Sequence, residues 1–396
     1  MICRVLVTDG EQRAALAITR SLGAAGYEVF VCSPRTRSLA GASRYAQDEV
    51  TVPDPLRDAA GFAAAVSGLV NWRCIDLLMP VTDGSLVALL PCRAQMPSVT
   101  LPFAHAAVHA RLSQKGDVLA AAAALGVAVP AQTTIASAEH ASRVPLEGLR
   151  YPLVLKPSPV LARANGAWIK PSVAYAGSAE QLRAHLKQWP VGAYPVLLQQ
   201  RVVGQGIGVS LLRWDGRTVA AFAHRRLREK PPSGGVSVYS ESIAPDPRLV
   251  AQSEALLEHF GWQGVAMVEY KTDGASGRTY LMEVNPRFWG SLQLAVDAGV
   301  DFPALLAAAA LGRPLSQPAS YRVGVRSRSW WGDVDHLLAR LRHDPAALAL
   351  PPGAPSRGRA VRDFLALWRP GDRGDVLRWR DPMPFVRETI DWLRGR

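Results

Sequence analysis

Two glutamates and an asparagine lie close together in residues 264–290, GVAMVEYKTDGASGRTYLMEVNPRFWG, at a spacing that suits a hard cation. Two strand-like runs, 264–271 and 279–285, flank a turn-forming Thr-Asp-Gly-Ala-Ser-Gly cluster. A hairpin centred near residue 276 sets Glu269 opposite Glu283. The two-residue alternation of a strand puts Leu281, Glu283 and Asn285 on one face, with Val265 and Met267 on that face of the first strand. Directly opposed carboxylates repel, and a cation between them removes the repulsion. Glu269, Glu283 and Asn285 offer only oxygen ligands. Such a set suits Mg²⁺, or Mn²⁺, with water and phosphate oxygens completing the octahedron. Asn285 precedes Pro286, so its backbone is extended and the ladder stops there. Arg287 then stands at the open strand end, where its planar guanidinium would grip a phosphate or carboxylate through two parallel bonds. Either glutamate alone would read as the wet face of an ordinary hairpin. The set Glu-x₁₃-Glu-x-Asn-Pro-Arg favours the metal.

The surrounding chain supplies elements to position this hairpin. Residues 2–7 form an apolar strand, 8–10 a turn, 14–22 a helix and 27–32 a second strand, with a third at 75–80. That β-α-β order calls for a parallel sheet. The turn after the first strand reads TDGEQRA rather than GxGxxG, which argues against an NAD enzyme. Residues 106–126 read as one helix with Lys115 inside it. Residues 151–156 form a short strand that Pro157 stops. Lys156 ends that apolar run, where a charge needs a partner. A Gly/Ala/Ser-rich stretch, 158–177, precedes a helix at 182–189 and a strand at 196–200. A hairpin of 207–214 and 218–224 turns at Asp215-Gly216, and 251–260 is a helix. The GQGIG of 204–208 is followed by a strand, so it is no helix-opening phosphate loop.

The hairpin segment, with what precedes it, resembles the ATP-grasp superfamily, especially its carboxylate–amine ligase and carbamoyl-phosphate-synthase-like members. The resemblance spans residues 1 to about 315 and is most specific at 264–290. It implies an α/β and α+β protein: a Rossmann-like pre-ATP-grasp domain, two subdomains that clamp ATP, and a C-terminal helical appendage. The expected divisions are 1–105, 106–200 for the linker helix and lid, 201–318 for the catalytic subdomain, and 319–396 for an Arg/Trp-rich extension. In such enzymes two lysines reach the ATP phosphates, and Lys115 and Lys156 match them. Gln200 stands at the usual acidic position facing adenine, Arg201 and Val202 supply hinge backbone, and Gln205 stands where a ribose contact often sits. Both glutamines depart from the family's acidic residues. The lid falls between Lys156 and Gly177, with Arg163 and Lys170 adding charge beside a phosphate or to solvent. His224-Arg225-Arg226 reads as a cationic segment following a strand, with Glu229-Lys230 and Ser233-Gly234-Gly235 after it. The resemblance places His224 and Arg226 near the γ-phosphate and acceptor.

The implied reaction is ADP-forming C–N ligation with ATP and Mg²⁺. The substrate carboxylate attacks the γ-phosphate, and an amine then displaces phosphate from the acyl phosphate. Phosphoryl transfer needs mainly positioning and charge stabilisation. Bicarbonate activation is a rival, though no biotin-carrier Met-Lys hairpin is present. A non-catalytic ATP-binding module serving assembly or regulation is the alternative from another class.

Bulk properties agree with a folded chain of several subdomains: 396 residues, 48% hydrophobic and 20% charged. No apolar run approaches the roughly 18 residues that cross a bilayer, and the N-terminus lacks signal-peptide regions, so a cytoplasmic location is expected. The net charge of +12 is spread along the chain without a dense basic run, which favours an anionic nucleotide substrate over nucleic acid. Cys3, Cys32, Cys74 and Cys92 lack CxxC spacing and read as buried free thiols. The expected partners are a small-molecule carboxylate and amine, with no nucleic acid and no membrane. The tail, with Trp330, Trp331, Trp368, Trp379 and Trp392 among its arginines, reads first as a packed appendage, then as an acceptor cap or a homodimer contact.

Overall fold

The computed structural model describes residues 2–395 apart from 147, 165, 316–319, 352, 367, 368 and 370. Trp368 and the junction drawn between 318 and 319 lie outside the described residues. Apolar runs near the N-terminus build a parallel four-stranded sheet from Arg4–Val7, Glu28–Ser33, Ala46–Thr51 and Leu77–Met79. The first strand lies between the second and the fourth. In open α/β sheets, ligands settle at the carboxyl strand ends beside such a reversal. Here the chain's own carboxylate fills that place. Asp9 accepts bonds from Val81 N–H at 3.1 Å, Thr82 N–H at 3.2 Å, Thr82 Oγ1 at 2.9 Å and Ser85 Oγ at 2.6 Å. The donors that a bound phosphate would take are satisfied from within, in keeping with the missing glycine fingerprint.

A second sheet, antiparallel, orders Gln132–Ile135, Val196–Gln200, Leu153–Pro157 and Ala174–Ala176. It has its own small core, including Leu153, Leu155, Leu182 and Leu198, apart from the main one. The chain then crosses at residues 201–203 into a seven-stranded sheet. Its order is Thr279–Asn285, Gly264–Asp273, Gly204–Trp214, Arg217–Lys230, Val236–Ile243, Arg326–Arg328 and Asp372–Gly374.

Several expectations are corrected. The helix expected over 106–126 is two, Ala106–Leu112 and Lys115–Ala124. Lys115 opens the second because Ser158 reaches across to cap it, accepting from Lys115 N–H through its carbonyl at 2.9 Å and from Gly116 N–H through Oγ at 3.0 Å. His224 and Arg226 lie within a 14-residue strand, Arg217–Lys230, not after one. Val236–Ile243 pairs along its far side and carries the ladder through the charged residues. A register shift after Glu269 pairs Leu281 with Tyr270, so Leu281 leaves the simple alternation with Glu283 and Asn285. Cys3 and Cys32 are buried, whereas Cys74 is exposed on a left-handed turn (φ 50°) and Cys92 is half-buried.

The tail adds two strands to the seven-stranded sheet besides its helices Trp330–Arg342, Arg357–Leu365 and Met383–Leu393. Fully buried Asp333 accepts from Arg228 Nη2 at 2.7 Å and Arg328 Nε at 2.5 Å. Trp331 stacks on Trp392 with centroids 4.2 Å apart. On the other side, Asp381 accepts from Arg20 Nε at 2.8 Å and Ser43 Oγ at 2.7 Å, both in the N-terminal domain. No single described helix is long and apolar enough to cross a membrane.

Candidate active site

The hairpin Gly264–Asp273 and Thr279–Asn285 pairs Glu269 with Glu283, as expected, and Met267 with Asn285, with the turn-side pairs shifted by one residue. Glu269 pairs in turn with Gly208, and Gly208 with His224. The GQGIG run acquires a structural reason from that row. A Cβ on Gly208 would lie 2.3 Å from His224 Cε1, and one on Gly206 would lie 3.0 Å from Arg226 Cδ. Two glycines without side chains give His224 and Arg226 of the neighbouring strand room to lie across the sheet.

A continuous chain of polar contacts runs through these residues. Asp83 Oδ2 accepts from Arg287 Nε at 2.7 Å. Arg287 Nη2 donates to Asn285 Oδ1 at 2.9 Å, and Asn285 Nδ2 donates to Glu269 Oε1 at 2.9 Å. Glu269 Oε2 is 2.5 Å from Arg226 Nη2, and Arg226 Nη1 is 3.0 Å from Glu229 Oε1. Lys115 Nζ approaches Glu283 Oε2 at 3.6 Å. Asp83 is the member that sequence reasoning missed. Its signal was a carboxylate opening the helix Asp83–Leu89 just after a parallel strand, but its partner lies 204 positions away.

The opposed carboxylates differ. Burial pushes the Glu269 carboxyl up, and Glu283 adds to this, against the opposing pull of Arg226. Burial also raises Glu283, but Lys115, Lys156, Arg226 and Lys170 outweigh it and leave it below the ordinary carboxylate range. Lys156 is pushed down to about 8 by burial, with Glu283 opposing and Lys115 adding. Among the described residues it has no ion pair within 4.0 Å. His224 is pushed down to about 3 by burial, with Arg226 adding. It is therefore neutral, so the positive charge of the His224-Arg225-Arg226 segment rests on its two arginines. Its ring stacks on Phe222, and Nε2 lies 3.3 Å from Ser291 Oγ.

The nucleotide candidates divide between the crossing and the sheets. Gln200 ends the lid strand Val196–Gln200, and its N–H donates to Ala131 O at 2.8 Å. Arg201 stacks on Tyr175 at 4.8 Å and donates to Ala349 O of the tail, while Val202 is buried. Gln205 is exposed, paired with Thr272. In the lid, Arg163 lies over Trp168 at 4.7 Å. Lys170 is exposed, yet it shares its electrostatic surroundings with Arg287, Asp83 and Glu283.

The donor set fits a metal that arrives with its nucleotide. Two carboxylates and one amide meet, and no cluster of three or more His, Cys, Asp or Glu occurs among the described residues. A resident ion would lack ligands here. Mg²⁺ carrying phosphate and water oxygens would not, since it keeps much of its shell from outside the protein.

Residues 193–330 match a family model described as "ATP-grasp in the biosynthetic pathway with Ter operon". Among solved structures, the chain is similar to an N5-carboxyaminoimidazole ribonucleotide synthetase in complex with ADP. The identity is 16%, the TM-score 0.63, and the match covers 82% of this chain and 81% of that one. It is similar to an L-amino acid ligase from Bacillus licheniformis at 16% identity and TM-score 0.61, covering 78% of this chain and 74% of that one. It is also similar to a biotin carboxylase from Campylobacter jejuni at 15% identity and TM-score 0.62, covering 82% and 74%. No curated protein matches by sequence. At these identities the likeness shows the ATP-grasp fold.

Proposed function

We propose that this chain, which has the ATP-grasp fold, is an ATP- and Mg²⁺-dependent ligase that joins a carboxylate to an amine with release of ADP and phosphate. The observation that carries the reading is the paired register of Glu269 and Glu283, with Asn285 at the strand end and Lys115 at 3.6 Å from Glu283. Glu269, Glu283 and Asn285 would hold the metal, which supplies charge neutralisation of the ATP phosphates. Lys115 and Lys156 balance phosphate charge from the lid side. Gln200, Arg201 and Val202 line the crossing where adenine would lie, and Gln205 is assigned to the ribose. Arg226 and Arg287 hold the anionic acceptor, and neutral His224 keeps the sheet surface beside Arg226 polar without adding charge. The substrate carboxylate forms a bond to the γ-phosphorus as the bond to ADP breaks. The amine then attacks the acyl carbon, phosphate leaves, and the amine gives up a proton. Similarity in fold to an L-amino acid ligase supports an amino acid as one substrate.

The test is release of ADP and phosphate with ATP, Mg²⁺ and pooled amino acids, other carboxylates and amines. Release that needs a pair of substrates and vanishes in Glu283→Gln is expected. Full activity in Glu283→Gln would remove the metal assignment, and nucleotide binding with no release under any mixture would favour a non-catalytic module.

A further inference from the structure

Three cations that face the site are each held by a carboxylate. Arg226 is on Glu269 and Glu229, Lys115 is on Glu283, and Arg287 is on Asp83. Two of those carboxylates, Glu269 and Glu283, are also the ones assigned to the metal above. A divalent ion on Glu269 Oε2 would compete with the guanidinium that lies 2.5 Å from that oxygen, and the ion carries twice the charge.

We propose that Arg226 is a metal-released anion anchor: when Glu269 takes up a divalent cation, Arg226 is freed and becomes the binding group for the acceptor's carboxylate or the transferred phosphoryl group. This rests on the reading of Glu269 as a metal ligand. Before release, Glu269 and Glu229 carry two negative charges against one on Arg226, and His224 beside them is neutral. Nη1 and Nη2 of Arg226 are then both occupied by carboxylates, which leaves an anionic substrate no terminal guanidinium donor there. After release, Arg226 and Glu229 balance, and the metal adds positive charge.

The geometry permits the change. Nη1 remains tethered to Glu229 Oε1 and to Gly235 O at 3.3 Å, so the freed group stays at the site. Nε is buried with no hydrogen-bond partner among the described residues, so the guanidinium holds unspent donor capacity. Gly206 leaves space beside its Cδ. Arg287 is different. Its donors are held by Asp83, Asn285 Oδ1 and Phe288 O, and of these only Asn285 is assigned to the metal. The consequence is ordered binding, with the metal nucleotide first and the anionic acceptor second.

Calorimetric titration with inorganic phosphate, the product anion, tests this without turnover. Wild type with ADP and a chelator should bind phosphate weakly. Saturating Mg²⁺ should tighten binding by about tenfold or more, and that gain should vanish in Arg226→Gln. Glu269→Gln removes the charge that holds the guanidinium and so weakens that hold without metal. It should bind phosphate about tenfold more tightly than wild type under chelation, whereas Glu229→Gln should show no such gain. Phosphate affinity that ignores Mg²⁺ in wild type overturns the proposal, as does a folded Glu269→Gln no tighter than wild type under chelation. If Glu269→Gln does not fold, the wild-type and Arg226→Gln arms decide alone. Mg²⁺ without effect on ADP affinity would remove the metal reading and this inference together. Mg²⁺-dependent ADP binding with Mg²⁺-independent phosphate binding would remove only this inference.

Discussion

Asp83 and Arg287 form an ion pair, Oδ2 to Nε at 2.7 Å, that joins the parallel N-terminal sheet to the end of the carboxylate hairpin. Through it the N-terminal domain sets how Arg287 presents Nη2 to Asn285. Burial raises the Asp83 carboxyl, but Arg287 and Lys170 outweigh it and hold it below its ordinary value of 3.8. A carboxylate depressed in this way contributes stability that is present above its unfolded pKa and lost as pH falls through the folded one.

Asp83→Asn should therefore lower stability by about 1–3 kcal/mol at neutral pH, with the loss shrinking under acid. It should also lower kcat about tenfold or more while Mg²⁺-ADP affinity stays within about twofold, because Glu269 and Glu283 keep their places. Thermal melts across pH and separate kcat and KM measurements check both. A variant with wild-type kcat would show that Arg287 is oriented without Asp83.

Gly208→Ala puts a methyl group 2.3 Å from the His224 ring, on a sheet buried at this point. Overpacking of this kind costs about 1–3 kcal/mol. The distinctive expectation is repair. His224→Ala in the Gly208→Ala background should recover stability, giving a favourable coupling of about 1 kcal/mol or more in a double-mutant cycle. Additive losses would mean that the glycine serves something other than clearance for His224.

The pairing of the two carboxylates was readable from local signals, a turn cluster at a known place and a strand that stops at Pro286, whereas the one-residue shift between Glu269 and Tyr270 was not. The first β-α-β unit was readable for the same reason. What escaped reading depends on distant partners. Lys115 begins a helix because Ser158, 42 residues beyond Gly116, caps it. The charged run around Arg226 stays in a strand because Val236–Ile243 pairs beside it. The tail's strands are three residues each, too short for any period to show, and they exist only as additions to a sheet already formed. Asp83 looked like a turn residue until Arg287 met it.

The tail's bond to the N-terminal domain makes a separate prediction. Asp381 is buried and accepts from Arg20 Nε, Ser43 Oγ and Arg44 N–H, the last at 2.9 Å. Asp381→Ala removes the carboxylate that accepts from buried Arg20, leaving it hydrogen-bonded to backbone carbonyls with Asp375 as a more distant acidic neighbour. Breaking a buried pair from one side costs about 3–5 kcal/mol. Melting should move down by several degrees, and proteolysis should begin in the tail. A variant that melts with wild type would mark the tail as a detachable appendage.

Glu388, on the C-terminal helix, gives a pH prediction with the opposite sign. Burial pushes its carboxyl up to about 7, Asp375 adds, and Arg13 and Arg20 oppose. Oε2 is buried with no hydrogen-bond partner among the described residues. A raised carboxyl means that the folded protein prefers the protonated form. The associated stability is fully present below the unfolded pKa, near the ordinary value of 4.5, and is lost as pH rises through about 7. Glu388→Gln keeps the shape and removes the charge. The variant should match wild type near pH 4.5 and exceed it by about 1–2 kcal/mol at pH 8, the full shift being reduced because the side chain is partly solvated. Paired melts at the two pH values measure the difference. Equal melting at pH 8 would mean that Arg13 and Arg20 stabilise the charged form enough to cancel the cost of burying it.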